Sequence, residues 1–160
     1  MKILNVHASK DYQITIDNSF NNLLDSIKNL NLVDKILIVV DSNVYPLYYE
    51  EVSSILSEKP LYKFVIEAGE HSKDQKNYFD ILNYLAENNF SRKSLIIGLG
   101  GGVVGDLASF VASTYLRGVK YLAIPTSLLS EQNRPYRYAS SYWWPYLFPT
   151  YLQATRSSPQ

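Results

Sequence analysis

The 160-residue chain has no cysteine, one methionine and two histidines. Without cysteine there is neither a disulfide scaffold nor a thiolate-ligated zinc or iron–sulfur centre. Long apolar runs are also missing: the longest aliphatic one covers residues 36–40, against the roughly 20 residues that a bilayer demands. Neither sign of charge is in excess, with 15 basic and 15 acidic side chains. A protein that grips nucleic acid through a basic face is therefore not expected, and no membrane partner is expected either. Residues 1–10 lack the charged-then-apolar order of a secretory leader, so the expected location is cytoplasmic.

Other absences are local. All seven glycines fall between Gly69 and Gly118, and no lysine follows Lys120. Residues 131–160 have one acid, Glu131, yet hold four of the seven prolines, five of the 14 tyrosines and both tryptophans. The zero charge is thus a cancellation between a mildly acidic stretch, 1–130, and a mildly basic one, 131–160. Two units of different origin are expected, the second an irregular tail rich in proline and aromatic residues.

What is present reads as alternating strands and helices. Residues 2–7 and 11–16 alternate weakly, with Ile14 and Ile16 on one face, and Ser9-Lys10-Asp11 can turn between them to make a hairpin. Asn18 or Ser19 can cap a helix with Phe20, Leu23, Leu24 and Ile27 on one stripe. Residues 35–40 are a continuous apolar run of strand length, the pattern of a strand covered on both faces. Helices over 44–57, 74–89 and 103–114 then alternate with strands over 61–66, 94–98 and 119–124. Short connections between them predict an α/β fold: a Rossmann-like parallel sheet with crossover helices on both faces, preceded by the hairpin.

The glycine block carries the chemistry. Gly100, Gly102 and Gly105 satisfy G-x-G-x-x-G between a strand and a helix. A backbone without Cβ atoms can approach a pyrophosphate closely, and the free N–H groups of the following helix point at it. Asp106 is placed in the first helical turn, where the helix dipole favours an acid. On the residues alone, nucleotide binding and mere close packing of helix on sheet both stand. Asp41 and Glu70 lie near carboxyl ends of strands, where an open α/β sheet binds ligands. Each can accept hydrogen bonds from ribose hydroxyls, or Asp41 can be only a helix cap.

Four segments together resemble the 3-dehydroquinate synthase family: Ala68-Gly69-Glu70-His71-Ser72-Lys73, then residues 100–108, then Thr114-Tyr115-Leu116-Arg117-Gly118, then Ile124-Pro125-Thr126-Ser127-Leu128-Leu129. The resemblance covers roughly residues 1–130 and identifies them as an NAD-binding domain. It implies a lyase of the shikimate route to aromatic amino acids through chorismate, converting a sugar acid phosphate, 3-deoxy-D-arabino-heptulosonate 7-phosphate, to 3-dehydroquinate and phosphate. NAD is recycled in that reaction rather than consumed. A divalent metal, zinc or cobalt, polarises the reacting oxygens, and the family is commonly homodimeric.

By the same resemblance, Asp41 and Asn43 are adenosine-side contacts, and Glu70 and Lys73 are ribose and phosphate contacts. Gly101, Gly102, Val103, Gly105 and Asp106 form the pyrophosphate and nicotinamide-ribose cradle. Thr126 and Ser127 stand for a Thr-Thr pair that touches NAD, and Arg117 contacts the substrate phosphate. No catalytic residue and no metal ligand is assigned. His7 is expected on a strand and His71 in a loop, neither as a ligand. The resemblance ends near Ser130, without the family's helical carboxy-terminal domain and metal ligands. A chain inactive by itself is therefore expected, and the tail has the composition of a sequence read in another frame or of a misjoined gene model. Another sugar-phosphate cyclase, a metal-dependent polyol dehydrogenase and a non-catalytic nucleotide-binding module are the alternatives.

Overall fold

The computed structural model describes residues 2–6, 12–17, 19–28, 33–126 and 151–156. They build one seven-stranded sheet in the order β1-β2-β7-β6-β5-β3-β4. The hairpin is formed by β1 (Lys2–Val6) and β2 (Tyr12–Asp17), antiparallel in a register that sets Lys2 opposite Ile16 and Val6 opposite Tyr12. Its proposed turn lies outside the described residues. Thr15, flanked by the two isoleucines, is buried.

The parallel part of the sheet follows the sequence reading closely. β3 (Ile36–Asp41), β4 (Leu61–Ile66), β5 (Leu95–Gly100) and β6 (Lys120–Pro125) all run parallel, with β3 paired to both β4 and β5 and β5 to β6. Residues 36–40 have no exposed surface, as a strand covered on both sides requires. Their alternate side chains enter two separate cores. Ile36, Ile38 and Val40 pack with Leu95, Ile97 and Leu99 under α1 (Leu23–Lys28) and α2 (Tyr45–Ile55). Leu37, Val39 and Ile96 pack under α3 (Gln75–Glu87) and α4 (Gly102–Thr114).

Helix bounds differ from the expected ones for local reasons. The helix expected from residue 18 or 19 begins only at Leu23, after a turn in which the Leu23 amide bonds the Phe20 carbonyl. The helix expected over 74–89 is narrower because Asp74 serves as its N-cap, its side chain accepting from the Asn77 amide at 2.8 Å. At its far end Asn89 takes a positive φ of 53°, which ends the helix.

One expectation is corrected. The composition of the tail predicts irregular structure, yet Tyr151–Arg156 forms strand β7. It lies between β2 and β6 and runs parallel to both. Its six residues contain no proline, since the tail's prolines fall at 135, 145, 149 and 159. Nothing in its backbone therefore interrupts the hydrogen-bond ladder. β7 joins the hairpin to the parallel strands.

The connections define where a ligand sits. From β3 the chain crosses through α2 to β4 on one side, whereas from β5 it crosses through α4 to β6 on the other. The carboxyl ends of β3 and β5 thus flank the point where the winding reverses, the crevice that open α/β sheets use for ligands.

Candidate functional site

Gly100 ends β5, Gly101 caps α4, and Gly102 is the first helical residue. No side chain caps this helix, so the amides of Gly102, Val103 and Val104 point out of its N-terminus without an intrahelical acceptor. Helix α3 by contrast is capped by Asp74, whereas α2 likewise has no side-chain cap, Asp41 bonding only the turn before it. The uncapped end of α4 therefore has the donors and the dipole to receive an anion.

The glycines here serve different purposes. A Cβ on Gly100 would lie 2.7 Å from Val104 Cγ2 and 2.9 Å from its Cβ, and 3.2 Å from Asp41 Oδ2. Gly100 is thus required by packing of helix against strand. A Cβ on Gly102 would meet nothing within 4 Å. The space at Gly102 is open among the described residues. Gly105 is intermediate: among the described residues its Cβ would meet only Tyr121 Oη, at 3.9 Å.

Asp41 braces the turn that leads into α2, whose N-cap is Val44. Its Oδ1 accepts from the amides of Asn43 and Val44, both at 2.9 Å. Its Oδ2 is turned toward Gly100, so one carboxylate braces the turn and faces the crevice together. Asn43 is exposed in that turn. Ser42 does not cap α2. Its hydroxyl accepts from the Ala68 amide at 3.1 Å, and its own amide bonds the Ile66 carbonyl. That ties the β3–α2 turn to the loop after β4, a connection with no signature in the sequence pattern.

The loop after β4 reaches the same end of the sheet. Gly69 has a φ of 129°, a conformation that favours glycine. Glu70 begins a short 3₁₀ turn and is exposed. Lys73 Nζ lies 3.6 Å from Glu70 Oε1 and 2.6 Å from Asp106 Oδ2. Asp106 is the fifth residue of α4 rather than a first-turn acid, because the helix begins one residue earlier than the spacing suggests. Its partner is the Lys73 ammonium instead of the helix amides. Thr126 follows β6, and its amide donates to the Gly100 carbonyl at 3.1 Å. Asp41, Asn43, Glu70, Lys73, Gly101, Gly102, Val103, Gly105, Asp106 and Thr126 are thus gathered at one end of the sheet. Ser127 lies outside the described residues.

Arg117 is not brought to this group. It sits exposed before β6, beyond the far end of the 13-residue α4, about 20 Å from the helix N-terminus at 1.5 Å per residue. Leu116, Arg117 and Gly118 all have positive φ, 49°, 68° and 110°, so the guanidinium projects from a strained turn.

The described residues do not fit a metal ion. Among them no group of three or more His, Cys, Asp or Glu side chains is placed to hold one. His71 Nε2 is 3.3 Å from Glu67 Oε2 in the exposed loop, and His7 lies outside the described residues. A cavity of about 220 Å³ opens instead near the amino ends of the strands, lined by Leu24, Ile27, Val33, Ile36 and Leu56 with Lys28, Glu58 and Lys59 at its rim. It has no part in the glycine site. No helix among the described residues is long and apolar enough to cross a membrane.

Comparison with known proteins bears on this geometry. Residues 63–134, which include the Lys73–Asp106 pair and the whole glycine block, match the family described as 3-dehydroquinate synthase N-terminal. This part of the chain belongs to the 3-dehydroquinate synthase family. The 3-dehydroquinate synthase of Clostridium tetani is 37% identical over 133 residues, which is 82% of this chain and 36% of that enzyme. The chain thus spans about 36% of the length of that relative. Among solved structures, 2-deoxy-scyllo-inosose synthase superposes with a TM-score of 0.80 at 15% identity, covering 97% of this chain and 47% of that one. The 2-epi-5-epi-valiolone synthase of Streptomyces hygroscopicus, solved with NAD+ and Zn2+ bound, gives 0.63 at 26% identity over 79% of this chain and 35% of that one. These two synthases share the α/β architecture seen here.

Proposed function

We propose that this chain carries the NAD-binding domain of a 3-dehydroquinate synthase, with the cofactor pyrophosphate on the N-terminus of α4. The observation that carries the reading is the open, uncapped helix end at Gly101 and Gly102, set at the winding reversal beside Asp41. The residues present fit NAD: the uncapped amides at Gly102–Val104 and the open space at Gly102 would receive its pyrophosphate. When bound, NAD supplies a hydride acceptor and donor for the substrate alcohol. The chain's own residues bind and orient. Asp41 and Asn43 serve the adenosine side, and the Asp41 carboxylate accepts from ribose hydroxyls through the oxygen not used in its turn. Glu70, Lys73 and Asp106 hold the phosphate and nicotinamide-ribose end, Val103 and Gly105 shape the helix turn beneath it, and Thr126 and Ser127 contact NAD.

The substrate of the reading is the sugar acid phosphate of the family, whose phosphate a guanidinium such as Arg117 would match in bidentate fashion. From its place in the fold, Arg117 would serve a phosphate held away from the α4 N-terminus of its own chain. The reading carries with it the family's homodimer and a cytoplasmic location. The zinc or cobalt ion that belongs to the family's chemistry finds no donor set among the described residues. These 160 residues by themselves are accordingly proposed to bind NAD without completing the reaction.

Calorimetric titration of the full chain with NAD+, beside an assay of phosphate release from the sugar acid phosphate with NAD+ and Zn2+, tests this. Binding without phosphate release is the expected result. No heat of binding at millimolar NAD+ overturns the cofactor reading, and sustained release overturns the claim that the chain alone is inactive.

A further inference from the structure

Tyr121 is the largest fully buried side chain, 1% exposed, and lies on β6. Its hydroxyl donates to the Gly105 carbonyl in the first turn of α4 at 3.1 Å. Burying a phenol oxygen is costly unless it is hydrogen-bonded, and a phenylalanine would fill the same volume at no such cost. Two glycines bear on the placement of that oxygen. A Cβ on Gly98 would fall 2.8 Å from Tyr121 Oη and 3.3 Å from Ala108 Cβ, while among the described residues the group near a Cβ on Gly105 is the same Oη, at 3.9 Å. Gly98 has no positive φ to explain it, so its missing side chain answers to the hydroxyl and to the close seat of α4 on β5. Strand β5, helix α4 and strand β6 thus meet at one oxygen atom. Burial holds the phenol well above its ordinary pKa, so it stays a donor across the working pH range.

From this we infer that Tyr121 is a positioning residue: its hydroxyl fixes the height of the α4 N-terminus above the sheet, and so the aim of the Gly102–Val104 amides at a bound phosphate. The inference rests on the NAD reading of that helix end. In an α-helix a carbonyl keeps a second lone pair after its helical bond. Gly105 can thus accept from Tyr121 without unwinding, and the helix survives loss of the hydroxyl. The bond is a tether added to an intact turn. A tether of this kind acts on geometry more than on global stability.

The test compares the full chain with Y121F, which removes only the oxygen. Amide hydrogen exchange is read residue by residue without ligand, and NAD+ affinity is measured by titration. Faster exchange confined to the first two turns of α4, with β3 and β5 as protected as before, is expected. NAD+ affinity should fall about fivefold through the poorer aim of the helix amides. Unchanged exchange in α4 with unchanged NAD+ affinity overturns the inference, and so does exchange that rises evenly through the sheet, since Tyr121 would then be a packing residue alone. Loosening confined to α4 in a chain that binds no NAD+ in either form supports the positioning role and overturns the cofactor reading.

Discussion

The Lys73 ammonium stands 2.6 Å from the Asp106 carboxylate, joining the loop after β4 to the second turn of α4. About a third of each side chain remains exposed, so the pair contributes little to folding; exposed ion pairs are typically worth about 0–1 kcal/mol. The proposed NAD site gives it another use. K73A is expected to lower NAD+ affinity about tenfold while changing the free energy of unfolding by less than about 1 kcal/mol. Titration and urea unfolding check it. Equal losses in both would assign the pair to the fold.

The glycine block separates packing from binding. G100A drives a methyl group into Val104 and is expected to cost about 1–3 kcal/mol of stability. G102A places its methyl in open space and is expected to leave stability unchanged or raise it by about 0.5 kcal/mol. The same methyl enters the volume assigned to the pyrophosphate, so NAD+ affinity should fall at least about tenfold. Denaturant melts and NAD+ titrations of both variants test the opposite pattern.

Asp41 can be divided in the same way. D41N keeps an oxygen to accept from the Asn43 and Val44 amides but loses the charge. Its stability should stay within about 0.5 kcal/mol of wild type, whereas D41A should lose about 1 kcal/mol with the turn. Both should weaken NAD+ binding. An asparagine variant that binds as well as wild type would restrict Asp41 to the turn.

A pH effect is expected far from the site. Burial raises the Asp34 carboxyl, but hydrogen bonds from Ser91, Ser94 and the Lys35 amide outweigh it and leave its pKa below the ordinary value. The bonds pin the turn before β5 to the start of β3. A carboxyl depressed in the folded state adds stability above its unfolded pKa and loses it as pH falls through the folded value. D34N should therefore be less stable than wild type at pH 7, by about 1–2 kcal/mol. The two stability curves should converge below about pH 4. Unfolding free energies measured from pH 7 to pH 3 give the comparison, and parallel curves would contradict it.

The sequence pattern announced the parallel core because that core depends on it. Residues 36–40 can be apolar throughout only if both faces are covered, and the α3 stripe of Ile81 and Leu85 matches the face it buries. Two features were not legible. Strand β7 sits in a tail whose composition opposes strands, and its place depends on ladder partners on both sides, β2 and β6, that no local pattern names. The site was readable as glycines and acids but not as a division of labour. Gly100 and Gly102 look alike in the motif, and only their neighbours show that one is filled by Val104 and the other is open. Arg117 is close in sequence to the glycine block and far from it in space, because α4 carries the chain to the other end of the sheet.

The central claim is that the N-terminus of α4, with Asp41 beside it, receives NAD. Amide chemical-shift mapping of the isotope-labelled chain during NAD+ titration tests it most directly and tolerates weak binding. Saturable shifts are expected at Gly101, Gly102, Val103, Asp41 and Lys73, and none around the cavity lined by Leu24, Ile36 and Leu56. Shifts centred on that cavity, or none anywhere at millimolar NAD+, would contradict it.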